Sequence, residues 1–575
     1  MTYKTKITSK STETPRIDTL LYEIEKGNYF IPDFQRFFVW TPERVKSLID
    51  SLLKDVNIPS IMLWKTPLGV PAIREFSEGI KGSETGEVSK TSLFFPETDG
   101  DKIYIIDGQQ RLTSLYSLYK GASVCSESST GKDDVIVDFK RFYANVNPKS
   151  ILPCVIYADE FNDLSFLDKE SYFPIYKILQ TDGEMDTFAQ MSNNNAMISS
   201  GMFKVYHSIM GEQLVVQSTI NTSLEFAQMF FKKINTAGET LTVYDNACSQ
   251  LFVFDGNEEE FFGIKHKIDD LYEELKEVDP KGKFSRINIL RAVSFCLLGR
   301  FSDSYVVKLE KNQVIENWDK IKDSIYRSIV FIKDEFHVKD LKGQINMAIL
   351  FSKFFFELSS KKDVFNKQKE YLRQCYYICH FRNDKDTCMR EKALGNYCHW
   401  IVQIAKGNFS DFTSYVEFCN YNQFTDGNVV FFDSQSSIED CKRYPYISLM
   451  MEMEPRSFVT GKVVSLDNKT SNEKLNYHHI FPLANKGEKA NNLFNIALLD
   501  FESNRDISVK APSEYIKLEN KDFQNGYDLS LSVKESHFLD EIDENILITD
   551  NYKKFIEVRS RKIYDFFVKK YKKIA

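Results

Sequence analysis

The sequence lacks the features that would place a protein in a membrane or outside the cell. It contains no long uncharged apolar stretch, and its first ten residues do not form a signal peptide. None of its ten cysteines forms a Cys-x-x-Cys pair, and no internal repeat or low-complexity tract is present. We therefore expect a cytoplasmic protein with reduced thiols and no membrane partner.

The chain also lacks an excess of positive charge, since 74 lysines and arginines stand against 82 acidic residues and the net charge is -8. This balance excludes a protein that coats nucleic acid through bulk charge, but a local basic groove is compatible with it. Segment 551–575 is one candidate, and it is interpreted either as a DNA-backbone contact or as the solvated face of a terminal helix. Its basic residues are Lys553, Lys554, Arg559, Arg561, Lys562, Lys569, Lys570, Lys572 and Lys573.

Length and composition indicate a soluble protein of several domains. A chain of 575 residues exceeds the size of one hydrophobic core, and hydrophobic and charged fractions of 42% and 27% are ordinary for globular proteins. We predict an α+β multidomain fold with an α/β domain over 1–250, a helical part over 251–410 and a third domain over 411–575. The oligomeric state, including a homo-oligomer, stays open.

The first part begins with an extended stretch, Ile31–Arg36, followed by a helix. Thr41 and Pro42 place a hydroxyl N-cap and a proline at the helix start. The segment Ile58–Trp64 is predicted as a strand, and 75–100 as a long surface loop between two core strands. The spacing of the apolar residues in the helix predicts one buried stripe, formed by Val45, Leu48, Ile49 and Leu52.

A strand at Lys102–Ile106 passes into a helix through Asp107-Gly-Gln-Gln-Arg111. Such a turn exposes free backbone N–H groups and the positive end of the helix dipole, which favours an anion. Gly108 permits close approach, and Arg111 supplies a planar fork suited to phosphate. The same residues also fit a glycine turn held by a structural Arg–Asp pair.

Three blocks in this order resemble the GmrS-type domain, a relative of ParB and sulfiredoxin. They are Ile31-Pro-Asp-Phe-Gln-Arg36 with Trp40, Asp107-Gly-Gln-Gln-Arg111, and Phe231-Lys-Lys-Ile-Asn-Thr-Ala-Gly-Glu-Thr-Leu241. The resemblance covers about the first 250 residues. It implies a ParB/sulfiredoxin-like α/β domain that binds a nucleoside triphosphate on the Gly108–Arg111 turn and hydrolyses it.

The resemblance implies a specific set of nucleotide-binding residues. Lys233 stands where the family usually has arginine, so the charge is kept but the bidentate fork is lost. A helix C-cap is the alternative interpretation of Asn235 and Gly238. The implied set is Gln35, Arg36, Asp107, Gly108, Gln109, Gln110, Arg111, Lys233, Asn235 and Gly238.

Helical spacing dominates from Ser223 to about Lys406 and predicts a helical bundle. Nitrogen and sulfur ligands for zinc are present there, but the flanking aromatic and aliphatic residues favour free cysteines in a helix core. The residues concerned are Cys375, Cys379, His380, Cys388, Cys398 and His399.

In the third part, Tyr477-His-His-Ile-Phe-Pro482 is followed by Asn492-Leu-Phe-Asn495 and by Ser503-Asn504-Arg505. Cutting a phosphodiester with one divalent ion needs a neutral imidazole that takes a proton from water. It also needs two or three ligands that hold the ion on the phosphate. Adjacent strand residues point to opposite sides, so His478 and His479 can divide into ligand and base.

This order resembles the GmrD-type branch of the His-Asn-His nucleases, whose ββα-metal fold would lie here within a mainly helical region. The resemblance implies His479 and Asn495 as catalytic residues, with His479 the general base and Asn495 orienting the base or its loop. It implies His478 and Asn504 as metal ligands. His478 replaces the usual acidic ligand and makes the site softer, so Ni²⁺ or Zn²⁺ could bind beside Mg²⁺ or Mn²⁺. The alternative is two structural histidines and turn-capping asparagines.

Together the parts resemble the fused GmrSD arrangement, a modification-dependent (type IV) restriction endonuclease. The resemblance implies metal-dependent cleavage of modified phage DNA, regulated by a nucleoside triphosphate, in phage defence. One alternative is a ParB-like nucleotide-gated DNA-binding protein with an inactive nuclease domain. The other is a nuclease with a purely structural N-terminal domain.

Overall fold

The computed structural model describes residues 9–36, 38–73, 93–96, 100–126, 135–220, 223–234, 241–254, 261–338, 340–358, 366–381, 391–409, 440–464, 475–483, 490–516, 527 and 529–572. Most of the predicted loop 75–100 lies outside these ranges, as do Asn235, Gly238, Cys388 and Lys573.

The chain divides into two compact units. Unit 1 comprises residues 1–270 and 306–315, and unit 2 comprises residues 271–305 and 316–575. Both helices and strands occur in each unit, as expected for a multidomain α+β protein. The division into 1–250, 251–410 and 411–575 stays a prediction.

The strands follow one another along the chain as β1 Ser9–Glu13, β2 Tyr29–Pro32, β3 Ile61–Thr66, β4 Ala72–Ile73, β5 Leu93–Phe94, β6 Lys102–Asp107, β7 Ser123–Ser126, β8 Val135–Asp138, β9 Phe142–Asn145, β10 Val155–Tyr157, β11 Tyr172–Pro174, β12 Val216–Ile220, β13 Asn476–His479 and β14 Ile496–Leu499.

The helices up to residue 306 are α1 Ile17–Glu25, α2 Pro42–Leu53, α3 Gln109–Lys120, α4 Ala158–Asn162, α5 Phe166–Lys169, α6 Ile175–Leu179, α7 Met185–Met191, α8 Ala196–Met210, α9 Leu224–Ile234, α10 Val243–Leu251, α11 Ile264–Leu275, α12 Arg286–Leu298 and α13 Asp303–Val306. The later helices are α14 Lys311–Phe336, α15 Ile345–Glu357, α16 Asn366–Phe381, α17 Glu391–Ala405, α18 Asp440–Met451, α19 Phe501–Ile507, α20 Pro512–Tyr515, α21 Leu531–Ser536, α22 Glu544–Ile548 and α23 Tyr552–Lys572.

Unit 1 is built on a seven-stranded mixed sheet in the order β1-β12-β3-β6-β2-β4-β5. Strand β6 lies between β3, which is antiparallel to it, and β2, which is parallel. Alternate side chains of a strand point to opposite faces. Ile105 accordingly belongs to one hydrophobic cluster, while Tyr104 and Ile106 belong to another on the other face. The sheet is therefore covered on both sides, and β6 ends at Asp107.

The predicted helix at Pro42 is confirmed, and its stripe of four apolar residues is buried. The predicted hydroxyl cap is wrong, because Thr41 occupies the N-cap position without a capping hydrogen bond. Its hydroxyl instead hydrogen-bonds the Glu43 carboxylate and lowers the pKa of that group. Strand β3 begins at Ile61 rather than Ile58, and β5 occupies part of the segment predicted as a loop.

Unit 2 contains most of the predicted middle helices and the C-terminal region, whereas α9, α10 and the first part of α11 belong to unit 1. Helix α15 packs against α12 and α17, and α16 packs against α17 and α18. Cys375 and Cys379 are buried free cysteines on α16, in agreement with the core interpretation. In the described part of the chain, no cluster of three or more His, Cys, Asp or Glu could hold a metal ion. None of the described helices is long and apolar enough to cross a membrane.

Helix α23 carries most of the basic C-terminal segment, but not all its cations face solvent. Arg559 is fully buried, which corrects its interpretation as part of a solvated or DNA-binding face. Lys562 is paired with Asp540 and Glu541. The side chains of Lys553, Lys554, Arg561 and Lys569 are exposed.

Candidate functional site

The turn between β6 and α3 is set by Gly108, the N-cap of α3. Its φ of +95° is a conformation that favours glycine. A Cβ atom at this position would lie 2.4 Å from Cδ1 of Ile61. The first turn of α3 therefore lies close to β3, and it carries the N–H groups that have no hydrogen-bond acceptor within the helix.

Arg111 is buried beside this turn, and its guanidinium is already engaged. Nη2 donates to Oδ2 of Asp107 at 2.8 Å, and Nη1 donates to the carbonyl of Pro59. Burial lowers the pKa of Arg111, and Asp107 acts in the opposite direction. Arg111 thus forms the structural Arg–Asp pair considered above, at the same turn where the sequence predicts phosphate binding.

Two glutamine amides tie the stretch after β2 to this turn. Nε2 of Gln35 donates to the carbonyls of Ile105 and Ile106, the latter at 3.2 Å. Oε1 of Gln110 accepts a hydrogen bond from the backbone N–H of Val39 at 2.9 Å. The first two sequence blocks are therefore brought together by side-chain-to-backbone bonds.

A cleft of about 460 Å³ opens at this junction. Phe231 and Ile234 of α9 also line the cleft, but Lys233 is exposed and is not on its wall. Asn235 and Gly238 lie outside the described residues. Seven predicted nucleotide-binding residues line the cleft: Gln35, Arg36, Asp107, Gly108, Gln109, Gln110 and Arg111.

One wall of the cleft was not predicted. Arg44, Ser47 and Ser51 line it from α2, and Asn57 lines it from the following loop. The three helix positions are spaced by three and four residues, so they share one face of α2. That polar spacing is visible in the sequence and could have indicated the wall.

The cleft carries positive charge in a chain that is negative overall. Among the described residues, its lining includes the arginines Arg36, Arg44 and Arg111 and one acidic residue, Asp107. Asp107 is paired with Arg111, so its charge is compensated within the wall. The cleft is therefore suited to an anionic ligand.

A second candidate site lies in unit 2, on β13, β14 and α19. The two strands pair in antiparallel fashion with His478 opposite Ala497 and His479 opposite Ile496. Helix α19 begins after Asp500, whose carboxylate accepts from the N–H of Ser503 at 2.9 Å, and it packs on β13. This arrangement brings Asn504 to the strand that carries both histidines.

His478 and Asn504 are in direct contact. Nδ1 of His478 lies 3.1 Å from Oδ1 of Asn504, although the residues are 26 positions apart. The amide oxygen can only accept, so Nδ1 carries the proton in this contact. Burial lowers the pKa of His478 to about 4, against the effect of Asn504. The imidazole is therefore neutral near pH 7.

His479 faces the other way and is half-buried. Its Nε2 lies 3.4 Å from Oδ1 of Asn491, which can only accept. Nδ1 is then the nitrogen with the lone pair. Burial lowers the pKa of His479, so the ring is available as a base near neutral pH. Asn491 was not predicted, and no spacing rule applied to the sequence indicated it.

Asn495 is fully buried and holds a loop rather than an imidazole ring. Its Oδ1 accepts from the N–H of Phe481 at 2.9 Å, and its Nδ2 donates to the carbonyls of Phe481 and Ala490 at 2.8 and 2.9 Å. Of the two roles that the resemblance implies for Asn495, its contacts correspond to holding the loop. Asn495 is thus a positioning residue for the segment that follows His479.

Two comparisons with known proteins bear on these sites. Residues 17–252, which include the cleft-lining residues, match the family model described as the GmrSD restriction endonuclease, N-terminal domain. The chain is also similar to an uncharacterized protein of Methanocaldococcus jannaschii, with 23% identity over 602 aligned positions that cover 96% of this chain and 98% of that protein. The family match supports a function related to that of restriction endonucleases.

Proposed function

We propose that the protein is a nucleotide-dependent DNA endonuclease that restricts modified phage DNA. Phosphodiester hydrolysis would take place at His479, and the binding or hydrolysis of a nucleoside triphosphate in the unit 1 cleft would regulate it. The observation that carries the nuclease part is the 3.1 Å contact between His478 and Asn504 on β13 and α19.

The donor pair fits a divalent ion. Adjacent ligands of an octahedral ion with bonds of about 2.1 Å lie about 3.0 Å apart, close to the observed separation. His478 and Asn504 would hold the ion, with the imidazole proton on Nε2 instead of Nδ1, and water and phosphate oxygens would complete its coordination. Such an ion polarises the phosphate and stabilises the charge that develops on it. One imidazole and one amide form a softer set than two carboxylates, which supports Mn²⁺, Ni²⁺ or Zn²⁺ beside Mg²⁺.

His479 is proposed as the general base. Its bond to Asn491 fixes the ring and leaves Nδ1 able to accept a proton from the attacking water. The pKa of His479, lowered by burial, keeps the ring neutral at the pH of the cell. The clamp of Asn495 on Phe481 holds the chain just after this base.

The unit 1 cleft supports the nucleotide part of the proposal. Its three arginines, of which Arg111 is paired with Asp107, and the N-terminal turn of α3 suit the triphosphate of a nucleotide. The family match over 17–252 covers the same residues.

The test is a cleavage assay on modified and unmodified phage DNA, with and without nucleoside triphosphate, in Mg²⁺ or Mn²⁺. We expect cleavage of the modified DNA only when metal and nucleotide are both present. His479→Ala should lower the rate by at least about 100-fold, the range of general-base catalysis. His207→Ala is the matched control, because His207 is an exposed histidine of unit 1.

Two results would replace this proposal by its alternatives. DNA binding without cleavage in any divalent ion would identify a ParB-like DNA-binding protein. Cleavage that needs no nucleotide and is unchanged in Arg111→Ala would identify a nuclease with a structural N-terminal domain.

A further inference from the structure

The loop that presents Arg36 to the cleft is held by a helix outside the matched family region. The loop follows β2, and the N–H of Asp33 donates to the carbonyl of Pro71 at 2.9 Å. Helix α11 supplies Lys265 and His266, and both lie beyond residues 17–252.

The carboxylate of Asp33 is completely buried and is compensated from α11. Its Oδ1 lies 2.5 Å from Nε2 of His266 and 3.9 Å from Nζ of Lys265. A buried charge is stable only when partners of opposite charge or hydrogen-bond donors reach it. Glycine at position 263 leaves room for this approach, because a Cβ atom there would lie 2.5 Å from Cζ of Phe261 and 3.1 Å from Oδ2 of Asp33.

The Lys265 ammonium makes a second contact with the same loop. It donates to the carbonyl of Gln35 at 2.8 Å, and its side chain is only 4% exposed. The side chain of Gln35 is fixed on the carbonyls at the end of β6. Gln35 is therefore held from both sides, and Arg36 is the next residue.

We infer that Asp33, Lys265 and His266 form a clamp around a buried carboxylate that positions Arg36 for contact with the phosphates of a nucleoside triphosphate. Lys265 is the central positioning residue, since its ammonium reaches both Asp33 and Gln35. This inference rests on the proposed nucleotide function of the cleft. The lysine and the carbonyl it holds are 230 positions apart, so no local sequence pattern connects them.

The test is a double-mutant cycle on the full chain, with binding of ATP, GTP, CTP and UTP measured by calorimetry. Lys265→Met and Arg36→Ala should each weaken binding roughly tenfold, the size expected for one lost charge-assisted contact. The double variant should bind no more weakly than Arg36→Ala alone, because the clamp acts through Arg36. Lys267→Met, two residues further along α11 and placed over the ring of Phe262, should bind as the wild type does.

Several outcomes would overturn the inference. Wild-type nucleotide affinity in Lys265→Met would do so. The inference would also fail if the affinity losses of the two single variants multiplied in the double variant, because Lys265 would then act independently of Arg36. If Lys265→Met does not fold, Asp33→Asn takes its place in the same cycle. A wild-type protein that binds none of the four triphosphates would refute the nucleotide proposal itself. If instead the wild type binds nucleotide and Lys265→Met binds it with the same affinity, only the clamp inference fails.

Discussion

The side-chain amide of Asn495 pairs with both backbone groups of Phe481, accepting from its N–H at 2.9 Å and donating to its carbonyl at 2.8 Å. This arrangement copies the hydrogen bonding of a neighbouring strand and satisfies a buried peptide unit. It fixes the chain two residues after His479.

Asn495→Ala should therefore destabilise unit 2. The substitution leaves buried groups of Phe481 and Ala490 without partners, which costs roughly 2–4 kcal/mol. Urea unfolding measures the loss. Asn491→Ala is the matched comparison, because Asn491 is less buried and its side chain accepts a hydrogen bond from the proposed base. It should lower the cleavage rate with little change in stability, and equal destabilisation by both variants would contradict this division.

Gly108→Ala should strain the turn at the cleft. A Cβ atom would lie 2.4 Å from Cδ1 of Ile61, and the positive φ adds a conformational cost. Gly27→Ala is the control, because Gly27 also has a positive φ but has no atom within 4 Å of an added Cβ. We expect Gly108→Ala to cost about 1–3 kcal/mol more than Gly27→Ala. Ile61→Val removes Cδ1 and should restore part of the stability lost in Gly108→Ala; no restoration would count against the contact.

Arg559 should be essential for the stability of unit 2. Its guanidinium donates to the carbonyls of His537, Phe494 and Ile496, and it is fully buried. Arg559→Met removes all three bonds, although Tyr446 still donates to the carbonyl of Ile496, and it should cost roughly 3 kcal/mol. Arg561→Gln, at an exposed position of the same helix, should change stability by less than about 0.5 kcal/mol. Thermal unfolding of the two variants checks the contrast, which equal effects would refute.

Unit 2 should lose stability as the pH falls. Burial lowers the pKa of His380, His478 and His537 to about 4 in the folded protein. The unfolded chain binds these protons near pH 6.5, so the stabilisation is present above that pH and is lost between pH 6.5 and 4. Each histidine contributes roughly 3 kcal/mol over this window. Urea unfolding across this pH range measures the slope, and His380→Gln should reduce it by about a third. An unchanged slope in that variant would exclude His380 as a source.

The sequence predicted those elements whose signals are local. The strand ending at Asp107, the glycine turn and the following helix are contiguous, and the stripe from Val45 to Leu52 repeats at helical spacing. The same is true of His478 and His479, whose opposite orientations follow from strand geometry.

Contacts between distant segments could not be predicted in this way. Nothing near Arg559 indicates that three carbonyls from residues 494, 496 and 537 surround it, so its charge suggested an exposed position. The hydrogen bond from His479 to Asn491 and the pairing of Lys265 with Asp33 likewise depend on tertiary structure. Propensity and spacing describe neighbours along the chain, whereas these bonds join segments that only folding brings together.

The position of β12 in the sheet affects the order in which the strands of unit 1 can pair during translation. This strand lies between β1 and β3, yet it follows both of them, and β6 as well, in the chain. During translation β1 has no partner, and one edge of β3 stays unpaired, until Val216–Ile220 has left the ribosome. Unpaired edges attract other extended chains, so the nascent protein carries an aggregation hazard until the late insertion of this one strand removes it.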